Sequence, residues 1–188
     1  MKRNIRLSNK HKNKGLTLIE ALIVIVIAGI LMIKGIQKYT NWQQTNKTED
    51  MLSIVNQAFD TLPNMKATYG SYDGLDNAYA YESKRVVMKN NKSPTANQFT
   101  TPFSTNGLTF ASADSATLPS GRVLSGVNRF ISLTAHDIEG ELCQDIAEGM
   151  FGRIDEVRIG STRVASAPAI TAACAAVGTS VDITFING

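Results

Sequence analysis

Hydrophobic and polar positions divide this chain into segments of different character. Residues 1–14 are polar and basic, and Gly15 follows. From Leu16 to Ile33 the chain is apolar except at Thr17 and Glu20. A run that is apolar on every side suits lipid or the centre of a fibre. At 18 residues it is just long enough to cross a bilayer as a helix. Lys34 and Lys38 lie just beyond it, and Tyr39 and Trp42 suit the opposite membrane interface. Met51, Ile54, Val55, Ala58, Phe59 and Leu62 then recur at helical spacing. The pattern predicts one helix over 16–62, about 70 Å long, with an amphipathic second half packed on a sheet. Pro63 ends it, because the residue before a proline avoids the α region.

Periodicity weakens after that. Residues 64–130 read as a loop region with short strands near Arg85–Met88, Leu108–Ala111 and Arg129–Leu133. A second helix is predicted over 135–149. Thr134 is its N-cap candidate with Asp137 three residues on, and Ile138, Leu142, Ile146 and Met150 form its apolar edge. Arg153–Gly160 and Thr162–Ala167 read as strands. The alternating end of the chain reads as another, with Val181, Ile183 and Phe185 inward. The predicted class is α+β: a long N-terminal helix packed on an antiparallel sheet.

Charge changes the picture of the first segment. The chain carries a formal +3, which taken alone suggests an acidic partner such as nucleic acid. Yet six of its 19 Lys and Arg, and none of its acids, fall in residues 1–15. Without that segment 13 cations face 16 acids, a formal charge of −3. The excess is therefore a topological signal that keeps the leader cytoplasmic and sends the chain after Lys34 outward. Nucleic-acid binding by the mature chain is not expected.

Cys143 and Cys174 are the two cysteines, and an even count in an exported domain reads as a disulfide. The alternative is two unrelated buried thiols. A bridge closing a loop of this length removes unfolded-state entropy worth roughly 3–4 kcal/mol.

Candidate chemistry is sparse. His11 lies in the leader, and His136 reads as a solvent-facing residue at a helix start. Glu139, Glu141, Asp145 and Glu148 read as a solvated helical face rather than an acid–base pair. Gly149 and Gly152 mark a helix end, not a phosphate loop. Arg153, Arg158 and Arg163 form a basic counterpart that pairs with the acidic helix either within a subunit or between subunits. No catalytic, metal or cofactor site is expected.

The order of parts remains to be explained. An ordinary secretory signal has its cleavage site after the apolar stretch, whereas here the cleavage-like Gly15 precedes it. Gly15, Leu16, Thr17, Leu18, Ile19, Glu20 and the Ala21–Ile33 run resemble the type IV prepilin family. The resemblance implies a pilin fold and cleavage between Gly15 and Leu16 by a prepilin peptidase, which leaves an N-methylated Leu16. It implies that Glu20, fifth in the mature chain, guides subunit docking by pairing with the Leu16 amine of a neighbour. Physics allows both that role and a plainer one. A carboxylate deep in a bilayer costs roughly 2.5–3.5 kcal/mol and tends to find a partner. A glutamate one turn into a helix also suits the helix dipole and reaches headgroup water.

The resemblance further implies a Cys143–Cys174 disulfide bounding a variable surface region, 143–174. Ser71–Leu75, Thr101–Phe103 and the placement of Cys143 on a helix resemble type IVb pilins of the bundle-forming and conjugative kind. Gly29 and Gly35 each cost about 1 kcal/mol in a helix. They serve either close packing or local melting of the stem in a filament. The resulting organisation is a cleaved leader over 1–15, a helical stem over 16–62 and a head over 63–188.

By resemblance the protein is the major subunit of a type IVb pilus, held in the inner membrane with its head periplasmic and then assembled into an extracellular homopolymer. Implied partners are the peptidase, an assembly ATPase, an inner-membrane platform protein and an outer-membrane secretin. The implied roles are adhesion, aggregation or conjugation. Alternatives are a minor pilin, a type II secretion pseudopilin, or a bitopic protein whose head binds or hydrolyses something.

Overall fold

The computed structural model describes residues 18–63, 66, 70–83 and 88–188. The chain divides into two compact units, Met1–Trp42 and Gln43–Gly188. Among the described residues the first unit is helical throughout and supplies the start of α1, Leu18–Thr61. Gly15, Leu16 and the expected strand at 85–87 lie outside the described residues.

The second unit is α+β. After the end of α1 come a short helix α2 (Asn77–Glu82), a 3-10 turn (Lys89–Asn91) and strands β1 (Leu108–Thr117) and β2 (Val123–Glu139). Helix α3 (Cys143–Met150), strands β3 (Glu156–Ile159) and β4 (Thr162–Val164), helix α4 (Ala167–Ala175) and strand β5 (Ser180–Asn187) complete it. The strands form one antiparallel sheet in the order β1-β2-β5-β3-β4.

Helical spacing on α1 becomes a core. Met51, Ile54, Val55, Ala58, Phe59 and Leu62 are all buried, together with Leu108, Phe110, Leu133, Ile183 and Phe185 from the inner sheet face. Phe99 stacks edge-on against Phe110 at 5.0 Å. Tyr72 joins the same core, and burial raises its phenol pKa above the ordinary value. Both Ile183 and Phe185 point inward as the alternation requires, while Val181 is half-buried at the margin.

Three expectations need correction. Residues 135–139 are strand, not the start of a helix. Ile131, Leu133 and Ala135 alternate inward, and a bulge at His136 and Asp137 turns Ile138 inward again. Asp137 takes the left-handed conformation (φ 59°) at this bulge. Ile138, Leu142, Ile146 and Met150 are spaced by four, which imitates a helix edge; Ile138 is the last inward residue of a strand. Second, the strand expected over 153–160 narrows to Glu156–Ile159, after a turn at Gly152 (φ 82°). Third, the strand expected over 162–167 stops at Val164, and Ala167 opens α4. Ser166 caps that helix by accepting from Ala169 N–H at 3.3 Å, and Pro168 stands in its first turn.

The β1–β2 hairpin is paired to its tip, Thr117 with Val123, but bends on the way. Its register shifts between Ala113 and Ser115, opposite Asn128 (φ 49°). Beyond this bulge the hairpin tip folds over the outer sheet face, where Ala116, Phe130 and Ile186 make a second small core. Thr117 N–H donates to the buried carboxylate of Glu156, and Leu118 carbonyl accepts from Arg163 at 3.3 Å.

Asn128 holds the bend. Its N–H donates to Asp114 (2.8 Å) and its carbonyl accepts from Tyr72 N–H (2.8 Å). Its side-chain oxygen accepts from Ser112 (2.8 Å), and its amide donates to Asp73 (2.9 Å). Asn128→Ala removes both side-chain bonds and adds left-handed strain, a loss of about 2–4 kcal/mol. Asn128→Gly keeps the backbone freedom and should lose roughly 1–2 kcal/mol. Denaturant midpoints of the two variants check this, and an alanine variant as stable as the glycine variant contradicts it.

Candidate functional site

The features most in need of a function are the exposed stem and its carboxylate. Leu22, Ile23, Val24 and Ile25 are 55%, 53%, 58% and 71% exposed. Four consecutive positions of a 3.6-residue turn cover every direction around the axis, so no side of this apolar first part of α1 is covered. It is the one helix among the described residues long and apolar enough to cross a membrane. Glu20 lies in the first turn and is exposed. A negative charge there suits the positive end of the helix dipole. Gly29 is likewise open: a Cβ added to it would meet nothing within 4 Å. The residues flanking the expected cut, Gly15 and Leu16, are outside the described residues.

Within the second unit, α1 is tied to the segment that leads into the cystine. Gln44 donates to Glu141 at 2.7 Å, and Lys47 pairs with Glu139 at 2.5 Å. Gly149 of α3 lies so close to Leu52 that a Cβ would stand 2.8 Å from its methyls. A half-exposed ion pair contributes little. The packing of Gly149 on Leu52 and the disulfide matter more.

Cys143 and Cys174 are bonded, with Cα atoms 5.8 Å apart. The bridge joins the first turn of α3 to the last turn of α4 and closes a segment that contains β3 and β4. Ile146, Met150, Val157, Ile159 and Ile170 of that segment are all buried, so the loop is a packed subdomain rather than a free flap.

His136 is not at a helix start. It lies on β2, with Nε2 2.7 Å from the Thr109 hydroxyl and Nδ1 3.0 Å from the Asp182 carboxylate. Asp182 also accepts from Asp137 N–H at 3.1 Å. The order hydroxyl, imidazole, carboxylate is that of a nucleophile relay. Here it spans β1, β2 and β5 and secures the bulge that returns Ile138 to the core.

Of the two pairings open to the arginines, the one within the chain is not made by Arg158 or Arg163. Arg158 pairs with Glu156 at 2.5 Å on its own strand, and Arg163 donates to Leu118 carbonyl. The buried Glu156 was missed by sequence reasoning. Its signal was Glu-x-Arg on a strand, which puts the two side chains on one face. Of the four acids expected on one helix, Glu139 ends β2 and Glu141 lies in the 3-10 turn Gly140–Leu142, while Asp145 and Glu148 are on α3. Among the described residues no group of three or more His, Cys, Asp or Glu could hold a metal ion.

Replacing both cysteines with serine should lower head stability by about 2–4 kcal/mol. Urea denaturation followed by circular dichroism checks this; an unchanged midpoint contradicts it.

Comparison with known proteins bears on the same features. The model of the prokaryotic N-terminal methylation motif matches residues 10–33. The chain is also similar to the major structural subunit of bundle-forming pilus of Escherichia coli O127:H6 (strain E2348/69 / EPEC), 28% identical over 98 residues. The protein of the same description from Escherichia coli O111:H- matches equally, again 28% identical over 98 residues. These alignments cover 52% of this chain, and the chain spans about half the length of the curated relatives it matches, 50% in each case.

Proposed function

We propose that this type IV pilin, type IVb-like in kind, is the major structural subunit of a type IVb pilus. It is made as an inner-membrane precursor and assembled into a surface filament for adhesion, aggregation or conjugation. The observation that carries the reading is the stem: an all-round apolar helix, uncovered on every side, with one carboxylate near its start.

The magnitudes fit an element that must leave lipid for another apolar setting. Twelve large aliphatic side chains lie between Leu18 and Ile33, each worth roughly 1.5–3 kcal/mol when removed from water. Glu20 subtracts roughly 2.5–3.5 kcal/mol in a bilayer. The carboxylate therefore does not prevent insertion, yet it is costly enough to select a partner. Cleavage between Gly15 and Leu16 would supply that partner, a new N-terminal amine. Leu16 and Glu20 are four residues apart, so pairing the amine of one subunit with Glu20 of the next staggers neighbouring stems by about 6 Å.

This reading needs a prepilin peptidase, an assembly ATPase with its inner-membrane platform protein, and an outer-membrane secretin. The leader stays cytoplasmic, and the head faces the periplasm before extraction.

Filaments sheared from cells test it. Their main component should be this chain without residues 1–15 and with one added methyl group by intact mass. Glu20→Ala should still insert in the membrane but give no filaments. An unprocessed chain, a trace share of the filament (as for a minor pilin or pseudopilin) or normal piliation of Glu20→Ala contradicts the proposal.

A further inference from the structure

The head carries an acidic stripe on one side and a cluster of arginines on the other. Helix α3 lies in the layer that covers the inner sheet face, since Ile146 and Met150 are buried in the same core as Val157 and Ile159 of β3. Its solvent side presents Asp145 and Glu148, and the turn before it presents Glu141; all are exposed. Gln44 donates to Glu141 and Gln144 to Glu148. Both donors are neutral amides, and among the described residues no ion pair involves these acids.

The outer sheet face carries a cluster of arginines at the β3–β4 edge, while its exposed acid on β5, Asp182, is taken by His136 and Asp137 N–H. Arg158 of β3 and Arg163 of β4 are register partners, a juxtaposition of like charges that is unfavourable on its own. Arg122 joins them at the folded-over hairpin tip. Its carbonyl accepts from Leu118 N–H at 2.9 Å, and Leu118 carbonyl accepts from Arg163 at 3.3 Å. One acid beside them is Glu156, whose carboxylate is buried and already taken by Arg158 and Thr117 N–H.

The sheet stands between the two patches, so they cannot meet within one subunit. A second copy can bring them together. A contact between two different patches of identical molecules is heterologous, and such contacts propagate into open helical filaments when their rotation does not close a ring. We propose that in the fibre the Arg122, Arg158 and Arg163 patch of one head docks on the Glu141, Asp145 and Glu148 stripe of a second copy.

A second copy is the fitting occupant on charge. The chain after residue 15 is net acidic, 16 acids against 13 cations, so the counter-charge for a basic patch is abundant on the chain itself. In a filament the stripe is also held at a high effective concentration. Each exposed pair contributes little alone, but every subunit repeats the contact. The inference rests on the fibre reading above and adds a head-to-head contact to the one between stems.

Charge reversal tests it. Arg158 is left in place to keep Glu156 paired. Arg122→Glu with Arg163→Glu, and separately Asp145→Lys with Glu148→Lys, should each lower sheared filament per membrane subunit by at least about tenfold. All four changes in one chain restore complementarity and should return the yield to within about twofold of wild type. Arg122→Gln with Arg163→Gln, which adds no repulsion, should still lower the yield and raise its salt sensitivity. Reversed heads that assemble normally, a fourfold variant no better than either double, or neutral variants with unchanged yield would each overturn the contact. A wild type without filaments overturns the fibre reading and this contact with it; wild-type filaments that tolerate the reversals overturn the contact alone.

Discussion

An apolar helix with no covered side is the constraint on which the rest depends. Its aliphatic side chains lie open in every direction around the axis, and such a surface cannot remain in water. On the proposed reading lipid, and then other stems, cover it. One carboxylate at Glu20 leaves the stem compatible with both settings, because its cost is small against the summed burial of the aliphatic residues. The proposal that this helix moves from one apolar setting to another also accounts for the basic charge of residues 1–14, the position of Gly15 and the apolar length.

The head meets a different requirement. On the proposed reading it must be stable outside the cell while presenting a large polar surface, and several devices serve that end. The second half of α1 supplies one wall of the core. The disulfide holds α3 to α4 around a packed subdomain. The β1–β2 hairpin bends at Asn128 and covers Phe130 and Ile186, which would otherwise be apolar residues on the outer sheet face. That bend also brings Arg122 toward Arg158 and Arg163, so a device for stability creates the basic patch.

The stem was legible because an eighteen-residue run interrupted only by Thr17 and Glu20, followed by an amphipathic stripe, admits few interpretations, and Met51, Ile54, Val55, Ala58, Phe59 and Leu62 are buried as their spacing requires. The terminal strand was legible for the same reason at period two. The β2–α3 boundary was not. Ile138, Leu142, Ile146 and Met150 repeat every four residues, and only the bulge at Asp137 shows that Ile138 belongs to a strand. Helix α4 was hidden because Ala-rich segments carry little amphipathic signal; the capping Ser166 and Pro168 were its available marks. Glu20 could be singled out from its position in the chain alone. The partners of His136 and the Thr117 partner of Glu156 could not, because pairing across strands depends on register rather than on nearness in sequence.

The central claim is that Glu20 finds its partner on a neighbouring stem. The most direct measurement is the separation between the Glu20 carboxylate and the nearest N-terminal amine in a filament map from electron cryomicroscopy. The account predicts that the Leu16 amine of an adjacent subunit lies within about 4 Å, ion-pair distance. A Glu20 carboxylate that instead meets only its own helix start, with the neighbouring amine more than about two helical turns away along the axis, would contradict it.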